Sequence, residues 1–425
     1  MRVCILGAGV IGLTTAWELA ERGYQVTIVD RRREPAAETS FANGAQLSYA
    51  FVAPLASPET LAKLPGLLLS SAAPIRIRPT CDPAFIRWGL EFLAACNTRS
   101  VDATTRAQLA LGALSRTVLA DLTQQEALSF GLRTAGKLVV YRKAKGFEAA
   151  KAQAERQARV AEGGQEVLSA AACLALEPSL KLRPDELAGG IYTPSEQVGD
   201  CRLFCDDLAV RLRRRNNVSW QLGTHVRGLV VREGLVKGVE TSQGLIDTDL
   251  VVLALGAGAP HLARQMGFRL PIYPMKGYSI TARPSLGAAP LRHSVTDLDR
   301  KIVYAPLRED GNDVVRVAGI ADMVGFDRRV DERRLADMTR QAADTVNIDL
   351  ESDVLPWAGL RPATPDSRPI IGWSPVPNLF LNTGHGALGW TLACGSARLA
   401  AQMIGKEGPG GDPAWFALGR SNKAP

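Results

Sequence analysis

The sequence predicts an α/β protein in which a parallel sheet is assembled from discontinuous segments and interleaved with an α+β layer built on an antiparallel sheet. Three observations predict it. A β-branched apolar run (Val3 to Leu6), a glycine turn (Gly7 to Gly12) and a helix-forming stretch (Leu13 to Arg22) open the chain. Two further apolar runs that end in glycines, Asp249 to Pro260 and Asn378 to Gly405, come more than 200 residues later. Between those two, Pro271 to Thr281, Lys301 to Leu307 and Val314 to Ile320 read as strands, with the alternation expected of an antiparallel sheet.

Length and composition bound the reading. At 425 residues the chain is about three times the ~150-residue domain prior. Its 46% hydrophobic and 22% charged residues exclude a disordered, collagen-like or disulfide-scaffold protein. Fifty Lys+Arg against 43 Asp+Glu give a charge of +7, a modest excess that suits acidic small molecules or an anionic surface. It is too diffuse for nucleic acid, and no basic patch with interleaved aromatics stands out. The 7 cysteines are scattered without a CxxC pair or a histidine at zinc-ligand spacing, so they are expected to be reduced, mostly buried and free of metal, in a cytoplasmic protein. No run reaches the ~18 apolar residues of a spanning helix. The apolar start leads directly into the glycine turn, unlike a signal peptide.

Each element of the first segment has a physical role. Gly7 allows a tight turn, Gly9 lets the backbone approach a pyrophosphate, and Gly12 lets helix and strand pack closely. The helix N-terminus then offers free N–H groups and partial positive charge to phosphates. A second apolar run, Val26 to Val29, ends in Asp30, placed to accept hydrogen bonds from adenosine ribose hydroxyls. Arg31, Arg32 and Arg33 follow, either as a solvated charge run or as partners for a 2′-phosphate. This Rossmann-like pattern assigns to the cofactor Val3, Cys4, Ile5, Leu6, Gly7, Ala8, Gly9, Val10, Ile11, Gly12, Leu13, Thr14, Thr15, Ala16, Trp17, Asp30 and Arg31.

The rest of the chain decides between nicotinamide and flavin. After Asp30 the strand–helix alternation breaks into a small, polar loop, Glu38 to Pro54, which suits wrapping a long cofactor and contributes Thr39, Ser40 and Asn43. Gly256 belongs to the second glycine element. The third carries His385 and Gly386, Ala387, Leu388, Gly389, Trp390 and Thr391 at the start of a small-residue helix. One nucleotide domain built from distant pieces suits FAD. The last helix can aim its N-terminus at the flavin pyrimidine oxygens.

Two inserts fill the gaps. The first is largely helical, with Asp82-Pro83 as N-cap and first helical residue, then helical runs over Asp102 to Leu128 and Phe147 to Glu162. The second combines the three strands with a charged helix, Asp331 to Val346. The expected division is therefore 1–54, 166–270 and 358–425 for the FAD-binding domain, and 55–165 and 271–357 for the substrate domain. Thr60 to Pro74 concentrates Leu61, Leu64, Leu67, Leu68 and Leu69 before Arg76 and Arg78. Such a segment either lies on an anionic bilayer, so that residues 60–78 form a peripheral contact, or packs as a lid.

Together, GAGVIG with Asp30, the ETSFAN loop, MKGYSIT, AGLRPATPDSRPIIG (358–372) and LNTGHGALGWTLACGS (381–396) resemble the D-amino-acid oxidase superfamily of FAD-dependent oxidoreductases. Within it they are most similar to the bacterial D-amino-acid dehydrogenases. The resemblance runs nearly end to end. It implies FAD, a D-amino acid as substrate, and hydride transfer from the α-carbon to flavin N5, giving an imino acid that water hydrolyses to a 2-oxo acid and ammonia. It also implies a quinone or respiratory carrier as electron acceptor, and attachment at the cytoplasmic face of the inner membrane. A relative acting on glycine, sarcosine, D-proline or D-hydroxyproline is the alternative.

Arg361 stands where the family carries its carboxylate-binding arginine, whose fork matches both oxygens; the competing reading is a structural pair with Asp366. Tyr278 and Tyr304 lie on the expected substrate strands, either as carboxylate-binding hydroxyls or as core residues. His385 is a conceivable general base, although a neutral amine loses hydride without one, and a structural or flavin-contacting role is favoured.

Overall fold

Arg2–Leu6 sits inside a six-stranded sheet ordered Ile370–Trp373, Leu379–Thr383, Leu250–Leu253, Arg2–Leu6, Gln25–Asp30, Val218–Leu222. All pairs are parallel except the one at the Ile370–Trp373 edge. The beginning, middle and end of the chain thus meet in one layer. The computed structural model describes residues 1–50, 52, 54–69, 74–78, 80–158, 164–350, 354–408 and 412–420.

The first helix, Val10–Glu21, packs on this sheet through Leu13, Ala16, Trp17 and Leu19. Its closeness depends on Gly12: a Cβ there would stand 1.8 Å from the Gly7 carbonyl oxygen, and a Cβ on Gly7 would stand 2.5 Å from that of Ala254. Gly7 has φ +112° as well, a conformation that only glycine adopts without strain. The last helix, Gly389–Gly405, lies beside the first, and Gly395 lets the long helix Thr98–Glu126 approach to backbone contact.

The second layer is a nine-stranded sheet. Its order is Leu355–Ala363, Tyr273–Ala282, Asn312–Met323, Ile302–Glu309, Ser294–Asp297, Lys137–Tyr141, Gly189–Thr193, Glu166–Leu168, with Ile75–Ile77 paired to Asn312–Met323. The helix Glu332–Ala343 contributes Met338 and Ala342 to a core with Ile280, Val317 and Ile302 of this sheet. Each of the larger of these side chains, fully buried, contributes roughly 1.5–3 kcal/mol.

Sheet membership differs from the expected segment boundaries at three strands. Glu166–Leu168 and Gly189–Thr193, assigned to the nucleotide domain from their position in the chain, pair in the nine-stranded sheet. Ala358 to Ala363 likewise continues a strand of that sheet. Lys137–Tyr141, read as part of a helical insert, is a wholly buried strand. The long helix Thr98–Glu126 packs Ala107, Leu111, Val118 and Leu122 into the core of the nucleotide sheet. Of the apolar segment 60–74, a helix covers Pro58–Leu69, and residues 70–73 lie outside the described residues.

Candidate cofactor and substrate site

The two sheets enclose a cavity of about 1810 Å³, well above the ~300–1,000 Å³ of ordinary ligand pockets. At one end Gly7, Gly9, Val10 and Ile11 present the turn and the helix start. Gly9 is the N-cap of the helix with no side chain to satisfy it, and Ser40 Oγ accepts the Val10 N–H at 3.1 Å. Asp30 lines the same end; its carboxylate accepts the N–H groups of Ala8 (2.7 Å) and Arg32 (2.8 Å) and so braces the glycine turn. Burial raises its pKa, and these two bonds oppose that rise. Arg31, Arg32 and Arg328 converge on Glu38. Burial favours the neutral acid there, yet Arg328 and Arg31 hold Glu38 at about 2.

The distant predicted elements reach the same cavity: Thr39, Ser40 and Asn43 from the polar loop, Gly256 from the second glycine element, and Gly386, Ala387, Leu388, Gly389, Trp390 and Thr391 from the third. Thr39 Oγ1 donates to Leu360 O (2.9 Å), and Asn43 Oδ1 accepts from Ala45 N (3.0 Å), which fixes the loop. Other members of the expected cofactor set do not line it. Val3, Cys4, Ile5 and Leu6 are buried on the two faces of their strand. Ala8, Gly12, Leu13, Thr14, Thr15, Ala16 and Trp17 are buried scaffold, because a contiguous fingerprint includes the turns of helix that face the core as well as the one that faces the ligand.

Arg361 ends on the cavity side of its strand. Its Nη1 donates to Ile320 O at 2.9 Å and its Nη2 to Gly319 O at 3.5 Å. Among the described residues no carboxylate pairs with it, and the competing partner, Asp366, is held by Arg368 and Arg420. The guanidinium touches the cavity lumen while lying far from bulk water. Desolvation lowers its pKa to about 10, with Asp322 opposing. A buried cation with only carbonyl partners is costly, and an anion entering the cavity would offset that cost.

The other three expected catalytic residues differ. Tyr304 is wholly buried in the core with Val317 and Met338 and does not line the cavity. Tyr278 borders the cavity, but its ring packs in that same core and its hydroxyl donates to Asp322 at 3.1 Å. Asp322 in turn binds Arg76 and Arg334. Neither tyrosine offers a hydroxyl to a substrate carboxylate. His385 lines the cavity, and burial pushes its pKa to about 3. It is therefore a neutral contact group and a poor base.

Several cavity residues were not foreseen. Lys137 donates to Ser48 Oγ at 2.7 Å, and burial pulls its pKa to about 8 against the pull of Glu196. Gln46, Trp357 and Gly277 also line the cavity. Only their position in strands near the motifs signals them.

Residues 2–403 match the family described as FAD dependent oxidoreductase. The chain belongs to that family. Among its relatives, "D-amino acid dehydrogenase 2" of Ralstonia nicotianae is 44% identical over 99% of this chain and 100% of that one. A protein of the same name from Pseudomonas aeruginosa is 45% identical over 96% of each chain. Among solved structures, glycine oxidase from Geobacillus kaustophilus superposes with a TM-score of 0.76 at 22% identity, covering 99% of each chain. L-proline dehydrogenase from P. horikoshii gives a TM-score of 0.76 at 17% identity over 98% of this chain and 96% of that one. At such identities these two establish the fold.

This FAD-dependent oxidoreductase has the features its cofactor needs. The glycine cradle has no room for added side chains at Gly7 or Gly12. Buried polar atoms on the cavity, among them His385 Nε2 and Asn382 Oδ1, have no hydrogen-bond partner among the described residues. Both fit contact with the polar edge of a flavin.

Proposed function

We propose that the enzyme oxidises D-amino acids to 2-oxo acids and ammonia. When bound, FAD supplies the acceptor for the hydride leaving the α-carbon; the resulting imino acid is hydrolysed by water. Arg361 binds the substrate carboxylate with its remaining N–H groups, which orients the α-carbon. The apolar walls around it, including Met275 and Trp357, keep water away from the reacting bond. His385 stays neutral, so the amine arrives deprotonated rather than losing its proton to a protein base. The single observation that carries this reading is the buried Arg361 guanidinium, bound only to carbonyls on a cavity that fits a flavin.

Anaerobic titration of the yellow holoenzyme with D- and L-amino acids, glycine, sarcosine and D-proline tests it. D-amino acids should bleach the flavin; bleaching by the cyclic or secondary amines alone would replace the reading with its alternative. Electrons then pass to a quinone or respiratory carrier rather than to oxygen. Contact with the membrane through residues 60–78 would bring that acceptor close. Leu61 is 42% exposed, and Ile86, Leu90 and Leu93 form an exposed stripe on the helix Pro83–Ala95, which supports such a contact. Arg76 does not, since Asp322 and Asp331 bind it. No described helix is long and apolar enough to cross a membrane. Co-sedimentation with anionic vesicles, and its loss in Leu61→Asp, tests the contact.

A further inference from the structure

Gly277 and Gly359 face each other across the antiparallel pair formed by Tyr273–Ala282 and Leu355–Ala363. Arg361 folds back over this bare patch: a Cβ on Gly277 would stand 2.3 Å from Nη2 and 2.4 Å from Cζ of Arg361. Both are closer than atoms can approach. Gly277 does not have a positive φ, so its backbone would accept alanine, and the added Cβ would have to displace the guanidinium at the end of the flexible Arg361 side chain.

The opposite wall is equally specific. Ile320 has φ +59°, a left-handed conformation that is an outlier for a β-branched residue. Lys276 pairs with Asp322 and Tyr278 with Gly319, so the Asn312–Met323 strand carries one extra residue here, a β-bulge. In a regular strand Ile320 would share the face of Ala318, which lines the cavity. Instead its side chain joins the core of Val317 and Met338, and its carbonyl meets Arg361 Nη1 at 2.9 Å.

We propose that Gly277 is a positioning residue: its bare backbone and the carbonyl of Ile320 form a seat that fixes the Arg361 guanidinium in the direction a substrate carboxylate requires. This rests on Arg361 as the carboxylate receptor. Guanidinium geometry is then set by two residues that never touch the substrate.

The test uses FAD-loaded Gly277→Ala, Arg361→Lys and the double variant. Benzoate, a simple carboxylate, is titrated against the flavin absorbance. In Gly277→Ala the benzoate Kd and the KM should rise on the order of tenfold, with kcat less affected. The flavin midpoint potential and Tm should stay at wild-type values, which a general disruption of the pocket would not allow. In the Arg361→Lys background the same alanine should change benzoate Kd by less than about twofold, because the slimmer ammonium clears the Cβ. Unchanged benzoate affinity in Gly277→Ala, a lowered Tm or shifted potential, or a full tenfold loss on top of Arg361→Lys would each overturn the seat. If Arg361→Lys alone binds benzoate as wild type does, the receptor reading falls, and the seat with it. If Arg361→Lys loses affinity while Gly277→Ala does not, the seat alone falls.

Discussion

Replacing Arg361 with methionine should weaken substrate binding and leave the fold at least as stable. The drop in its pKa from 12.5 to about 10 corresponds to roughly 3 kcal/mol of desolvation, less whatever water in the cavity screens. Because the folded value lies below the unfolded one, this penalty is fully present below about pH 10 and is relieved only as pH rises above it. Methionine removes the penalty. It also leaves the carbonyls of Ile320 and Gly319 without their donor, a loss of about 1–2 kcal/mol. The net effect is a gain of about 1 kcal/mol, so Tm should match or exceed wild type by a degree or two. Binding goes the other way. A bidentate charged pair lost from a desolvated site costs about 2–4 kcal/mol, which is a rise of ~30- to 1,000-fold in KM. Thermal unfolding and steady-state kinetics with an artificial dye acceptor measure the two quantities on the same preparation. A variant that loses stability while keeping its KM would show that Arg361 is a structural residue, and the functional reading would have to be abandoned.

Three further outcomes follow from other parts of the molecule. Burial alone would raise the pKa of Asp366, but Arg420 and Arg368 hold it at about 2; that stabilisation of roughly 2 kcal/mol is present above pH 3.8 and lost as pH falls towards 2. Asp366→Asn leaves both arginines buried without their carboxylate and should cost about 3–5 kcal/mol in urea unfolding; a loss below about 1 kcal/mol would contradict the pairing. Since burial holds His385 near 3, the rate of anaerobic flavin reduction should follow the ionisation of the substrate amine, and His385→Asn should keep the profile's shape; a limb near neutral pH that disappears in the variant would make His385 the base. The Trp357 ring lies over Gly359 beside Arg361, so Trp357→Ala should shift kcat/KM towards bulkier side chains by about tenfold, and an unchanged ranking of D-amino acids would remove Trp357 from the specificity wall.

What the sequence made legible was whatever local pattern encodes. The glycine turn, Asp30 and the two later glycine elements announced a nucleotide layer built from distant pieces, and the six-stranded sheet brings them together. Arg361 was legible from its motif, and the structure supplies what the motif could not: Asp366 is held by Arg368 and Arg420, and among the described residues no carboxylate pairs with Arg361. The two readings of the tyrosines stayed open for a physical reason. Which face a strand residue takes depends on register, and the bulge opposite Lys276 and Tyr278 has no signature in one sequence. The buried Lys137–Tyr141 strand pairs with Ser294–Asp297 far along the chain, and the strands at 166–168 and 189–193 are short. Short apolar runs carry little to tell a buried strand from a helix segment.

The six-stranded sheet also has a consequence for how the protein is made. Its strand Arg2–Leu6 is synthesised well before its neighbour on one side: Arg2 pairs with Asp249, 247 residues later in the chain, and the outer partner at Leu379–Thr383 comes later still. At ~5–20 residues per second, the strand waits on the order of 12–50 s for its partner Leu250–Leu253. During that interval an apolar strand has one unpaired edge, and such edges invite aggregation. The cavity-lining residues Gly386 to Thr391 complete the cofactor site only once that part of the chain has been synthesised, so a chaperone that shields strand Arg2–Leu6 during translation should raise the yield of folded enzyme.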